Sequence, residues 1–163
     1  MALRSRSVSP ERLLLQARTL PSAERTILRL KALIGPATNK ADFLAALTAA
    51  SPRGLDGKAW SHKQLNDVLS RLMSQGLLKE DLSCPEILWH SLAVDAAAAP
   101  GGPVLVETVR QQFPETVQRP YSYTTSPQTD WTLQRLLRLA IYANDGEGYD
   151  RLLDKYNKTY NRG

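Results

Sequence analysis

Residues 60–79 read WSHKQLNDVLSRLMSQGLLK, and they specify a helix together with both of its ends. Ser61 and Gln64 have the spacing of a capping box, in which the serine oxygen accepts the N–H of the third helical residue and glutamine reaches back. Trp60 just outside and Leu65 inside occupy the positions of a hydrophobic staple. Leu65, Val68, Leu69, Leu72 and Met73 keep the 3.6-residue period of one buried face. At the far end Gly76 can turn left-handed, with Leu72 and Leu77 at the paired apolar positions of a Schellman motif. The next residues, EDLSCPEILWHSLAV at 80–94, decide the fold class. A polar turn over Asp81 to Pro85 separates Leu77-Leu78 from a run rich in Ile87, Leu88, Trp89, Leu92 and Val94. Two short apolar runs about a proline-containing turn predict a β-hairpin, although strict alternation is missing.

Upstream, Ile27, Leu28, Leu30, Ala32, Leu33 and Ile34 form a helical stripe with Arg25 and Arg29 outside it, closed by Gly35-Pro36. Asn39 can cap a second helix carrying Phe43, Leu44 and Leu47. Ser51 to Gly57 is a polar connector with strong turn chemistry. Three helices and a hairpin opening on Gly-Leu-Leu resemble the winged helix-turn-helix superfamily, carried by Leu65-Asn66-Asp67-Val68-Leu69-Ser70-Arg71-Leu72-Met73-Ser74-Gln75-Gly76-Leu77-Leu78-Lys79. The resemblance covers residues 21–96, under half of the chain, and implies a recognition helix running into the first wing strand. The expected fold is therefore mainly α with a small β-hairpin (α+β): a winged-helix core with additional N- and C-terminal helices.

Winged helices serve both DNA binding and protein assembly, so the outer face of the 61–76 helix has to decide between them. With Leu65 at the centre of the buried side, Lys63, Asp67, Ser70 and Ser74 point outward and Asn66 and Arg71 flank them. Lys63, Asn66, Ser70 and Arg71 have the donors for phosphates or base edges, whereas Asp67 carries the wrong charge for a phosphate. The same pattern also describes an ordinary solvated face. The wing is unfavourable for DNA, because residues 81–100 hold Asp81, Glu86 and Asp95 and no Lys or Arg. Residues 1–35 hold seven bases, among them Arg4, Arg6, Arg25 and Arg29, against Glu11 and Glu24. That local excess of +5 equals the net charge of all 163 residues, and these arginines are the expected phosphate contacts.

The first twenty residues are arginine- and serine-rich, which suits a basic arm leading into a helix at Ser9-Pro10-Glu11 or, alternatively, an organelle transit peptide. Leu13-Leu14-Leu15 is too short for a secretory signal, and no apolar run is long enough to span a membrane. Ala96 to Gly102 reads as a linker or frayed helix end, residues 104–113 as a short helix, and 119–130 as an irregular stretch with Tyr121 and Tyr123. Asp130 is placed to cap an apolar helix through Trp131, Leu133, Leu136, Leu137, Ala140 and Ile141. A turn at Asn144-Asp145-Gly146 leads to a last helix with Tyr149, Tyr156 and Tyr160. The divisions are thus 1–20 (arm and first helix), 21–96 (winged helix), 97–129 (linker with short helix) and 130–163 (helical hairpin).

Catalytic chemistry finds no footing in these residues. Cys84 is the sole cysteine, which excludes an internal disulfide and a cysteine-built zinc site. His62 fits the first turn of a helix and His90 a half-buried strand position better than a metal site. Pro100-Gly101-Gly102-Pro103 lacks the Lys and Ser/Thr of a phosphate loop, and Asp145-Gly146-Glu147-Gly148 has too few oxygens for a calcium loop. The expectation is a non-enzymatic, cofactor-free and metal-free DNA-binding module, regulatory or accessory to a DNA-processing protein, cytoplasmic and nucleoid-associated when bound. Double-stranded DNA is its expected partner. The alternative is an assembly module that meets a protein partner or itself through the run at Ile87–Trp89 or the terminal helices. The passage from hairpin to Ala-rich stretch to further helices is also similar to N-terminal accessory regions of large bacterial helicase-like ATPases.

Overall fold

The computed structural model describes residues 9–36, 38–54, 56–114 and 127–160, and these hold eight helices and no strand. In chain order they are α1 (Pro10–Arg18), α2 (Ser22–Ile34), α3 (Lys40–Ala50), α4 (His62–Ser74), α5 (Glu86–Ala98), α6 (Gly102–Gln112), α7 (Pro127–Tyr142) and α8 (Gly146–Tyr160). Arg4, Arg6, Tyr121 and Tyr123, and the side chains of Trp131, Tyr156 and Tyr160, lie outside the described set.

The locally encoded ends form as their chemistry dictates. Ser9 accepts from the Arg12 N–H ahead of Pro10, and Asn39 accepts from the Asp42 N–H at 2.8 Å. Ser61 accepts from the Gln64 N–H at 3.1 Å, but the reciprocal half of the box is not made, because Gln64 Oε1 is buried without a partner. At the end of α4 the Leu77 N–H donates to Leu72 O and the Gly76 N–H to Met73 O, both at 3.0 Å, with Gly76 at φ 76°. Those are the two bonds of a Schellman stop.

The hairpin expectation is overturned. The run from Glu86 is helix α5, so the α+β winged-helix architecture has no wing among the described residues. Its buried positions are Leu88, Leu92, Ala93 and Ala96, successively four, one and three apart, which is one face of a helix. Apolar residues on several sides of the helix obscure that period in the sequence. Pro85 supplies a preset φ of −54° just before the first turn, and Ala96 to Ala98, at the start of the stretch read as a linker or frayed helix end, are the last turn of the helix. The segment between α4 and α5 is a tight loop: Asp81 Oδ1 accepts from both Ser83 N and Ser83 Oγ, and Leu82 is held at φ 66°. Nor is there a compact helix-turn-helix, since eleven residues separate α3 from α4 and α3 packs chiefly on α6.

Helix α2 is the centre of the molecule. Ile27, Leu28, Leu30, Leu33 and Ile34 are all buried, and α5 lies along α2 with α1 and α6 beside it. Lys31 is buried as well, its ammonium 4.6 Å from the Phe43 ring centroid. The last two helices pair with each other, and α7 docks on α2 and α5. Asp130 lies inside α7 rather than capping it. Arg135 donates through Nε to Ile34 O, satisfying a carbonyl that the end of α2 leaves open. Its guanidinium also stacks on Phe113, and Arg138 stacks on Trp89 at 3.8 Å.

Candidate nucleic-acid interface

Burial of Leu65, Val68, Leu69 and Leu72 against the core turns Lys63, Asn66, Asp67, Ser70 and Ser74 to solvent. Lys63 makes no ion pair among the described residues, so its charge is available. Arg71 is different. Its Nη2 lies 3.2 Å from Glu24 Oε1, a carboxylate buried in the first turn of α2, so this guanidinium is committed to joining α4 to α2. The pair also places Arg71 two turns from Lys63, about 12 Å along the helix.

Arg25 and Arg29 do not share that face. They lie one turn apart on α2 and, with Arg18 of α1 and Asp95 of α5, line a shallow cleft that also includes the buried Leu28 and Leu92. Arg18 grips Asp95 with both arms of its fork, Nε to Oδ2 at 2.8 Å and Nη2 to Oδ1 at 3.1 Å. That grip raises the Arg18 pKa. Arg25 donates through Nη1 to Arg18 O at 3.3 Å, which closes the turn between α1 and α2. Burial, and then the neighbouring charge of Arg25, lower the Arg29 pKa, and Asp95 only partly opposes them. Arg18 is thus paired with Asp95, and Arg25 and Arg29 line the same cleft.

Of the eight expected DNA-contacting residues, the structure gathers Arg25 and Arg29, leaves Lys63, Asn66 and Ser70 together on α4, and ties Arg71 to Glu24. Arg4 and Arg6 lie outside the described residues. Arg18 and Asp95 were not among the expected site residues. The four-residue spacing of Arg25 and Arg29 was a usable signal for a shared face, but nothing local announces a carboxylate 77 residues from Arg18.

The remaining reactive groups are engaged structurally. Burial pushes the Cys84 thiol up to about 12 despite the nearby Lys31 ammonium, so the thiolate is suppressed. His90 is exposed on a helix rather than half-buried on a strand, and its Nδ1 lies 3.3 Å from the Tyr142 hydroxyl. Asp145 accepts from the Gly148 N–H at the start of α8 and meets Arg110 at 3.5 Å. Among the described residues no group of three His, Cys, Asp or Glu side chains is arranged to hold a metal ion, and no single helix is long and apolar enough to cross a membrane.

Comparison with known proteins returns nothing. No family model, no curated protein and no solved structure matches this chain.

Proposed function

We propose that this chain is a non-catalytic helical module that binds double-stranded DNA through its phosphates, as a regulatory or accessory part of a DNA-processing protein. The supporting observation is that Arg18, Arg25 and Arg29 line one cleft in which Asp95, paired with Arg18, is the one carboxylate among the described lining residues. Arg25 and Arg29 make no ion pair among the described residues, which leaves two positive charges in a cleft whose apolar residues weaken solvent screening. Guanidinium forks match phosphate oxygens in pairs, and phosphate neutralisation supplies most of the affinity of non-specific DNA binding. The basic N-terminal arm with Arg4 and Arg6 precedes α1 directly and adds charge on the same stretch of chain. Lys63, Asn66 and Ser70 are a second, more polar contact set, with Asp67 among them opposing close approach of a phosphate.

The test is fluorescence anisotropy of a labelled random-sequence duplex at two salt concentrations. With about three phosphate contacts, affinity falls roughly twentyfold between about 50 and 150 mM salt. Absence of binding at the lower salt, or binding indifferent to salt, refutes the proposal. Lys63→Glu reports on the α4 face, whereas Arg71 variants also strand Glu24, so they change two interactions at once.

A second reading, assembly with a protein, is favoured by one feature of α5. Ile87 and Val94, seven residues apart on one side of the helix, are 66% and 42% exposed. Sedimentation of the protein and of an Ile87→Asp, Val94→Asp variant tests it: a self-associated protein that the variant renders monomeric supports this surface, and a monomer throughout excludes self-assembly.

A further inference from the structure

We propose that Asp95 occupies the seat of a DNA phosphate: a phosphodiester entering the cleft between α1, α2 and α5 takes Arg18 from Asp95 and settles on Arg18, Arg25 and Arg29. The inference rests on the DNA-binding proposal and identifies both the group recognised and the residue that competes with it. The two parallel bonds from Arg18 to Asp95 have the fork geometry that arginine also uses toward phosphate. The pair is open to exchange, since the Arg18 side chain is 56% exposed and Asp95 accepts no other side-chain hydrogen bond among the described residues. A pair with so solvated an arginine contributes little to stability, and Asp95, 27% exposed, keeps access to water when Arg18 leaves, so releasing it costs little.

The other two guanidiniums are underused. Arg25 gives one N–H to a backbone carbonyl, and Arg29 makes no side-chain hydrogen bond among the described residues. A carboxylate ligand would gain little over Asp95, because it offers the same two oxygens. A duplex phosphodiester also presents two anionic oxygens, but it comes as one of a row of phosphates whose condensed counterions are released on binding, so it gains affinity that a lone carboxylate does not. Asp95 is thereby a positioning residue. In the free protein it holds Arg18 extended toward the cleft, and in the complex its charge sets the affinity.

Duplex binding by the full chain is measured for the unaltered protein, for Asp95→Asn, and for the double variant Arg25→Gln, Arg29→Gln. Asp95→Asn keeps the size of the side chain and one acceptor for Arg18 while removing the charge. It should tighten binding about fivefold, the size of one like-charge repulsion relieved at roughly 6 Å in a half-solvated cleft. The double variant loses no ion pair and one exposed hydrogen bond, that of Arg25 to Arg18 O, so it should keep its fold, bind about tenfold or more weakly, and reduce the slope of log affinity against log salt by about two. Unaltered binding in both variants, with the parent protein still binding, overturns the Asp95 inference and moves the DNA contact to another surface. Failure of the parent protein to bind at low salt overturns the DNA-binding proposal itself. Weakened binding in the double variant with unaltered binding by a natively folded Asp95→Asn protein, its helix content checked by circular dichroism, also overturns the Asp95 inference while keeping Arg25 and Arg29 as contacts.

Discussion

Gly35→Ala probes the seat of α5 on α2, the feature that replaces the expected hairpin. Gly35 closes α2 at φ 79° and ψ −167°, a backbone region populated almost solely by glycine. An added Cβ would stand 2.8 Å from Trp89 Cζ2. The indole cannot step aside freely, because its Nε1–H donates to Ala32 O at 2.7 Å and the Arg138 guanidinium lies 3.8 Å from its ring centroid. The backbone alone costs about 1–3 kcal/mol, and loss of the buried hydrogen bond and the cation–π contact adds roughly 1.5–3 kcal/mol. A total of about 4 kcal/mol corresponds to a fall in melting temperature of roughly 10 °C for a chain of this size. Gly101→Ala is the control: it also sits at positive φ, 80°, but nothing lies within 4 Å of the new methyl group. Its cost is the backbone term, about 1–2 kcal/mol. Thermal and urea unfolding, followed by circular dichroism and tryptophan fluorescence, measure both. Equal losses in the two variants would refute the packing of Trp89 against the end of α2, and with it the placement of α5.

Arg71→Ala should destabilise the protein by about 2–3 kcal/mol in urea titrations by leaving the buried Glu24 carboxylate unpaired, while Glu24→Gln, which leaves only a solvated arginine, should cost under about 1 kcal/mol; equal costs would deny the asymmetry. Arg135→Gln uncaps Ile34 O and removes the stack on Phe113, so a loss of about 2 kcal/mol is expected, with Arg135→Lys recovering little because it lacks the planar fork. Cys84 should resist thiol reagents at pH 8 except at the rate of unfolding, since its folded pKa is about 12. The sign of its pH effect follows: the unfolded thiol ionises near its ordinary value of 9.0 and the folded one only near 12, so Cys84 contributes stability below pH 9 that is lost as pH rises through that window. Lys31, whose pKa burial lowers, acts in the opposite direction, so the contribution is read as the difference in pH slope between the parent protein and Cys84→Ala. Identical slopes would contradict burial of the thiol.

Local chemistry made much of this protein legible from its residues. The caps at Ser9, Asn39 and Ser61, the Schellman stop at Gly76 and the amphipathic stripes of α2 and α4 all depend on residues within a turn or two of one another. Short-range hydrogen bonds and side-chain periodicity suffice to set them. The outward direction of Lys63, Asn66 and Ser70 followed from the same periodicity. Residues 86–98 were misread because apolar residues on several sides suit either a strand or an enclosed helix. Only the neighbours choose: Trp89 reaches Ala32 O across 57 residues, and Leu88, Leu92 and Ala96 fill the side of α5 turned to the core. The basic N-terminal third was visible as composition, but its focus was not. Arg18 and Asp95 meet only because α1 and α5 pack side by side, and Arg71 gains Glu24 as a partner only because α4 packs on α2. Short-range order is written in neighbouring residues. The partners of a charge, and the identity of an apolar run as helix or strand, are decided by which distant elements the folded chain brings beside them.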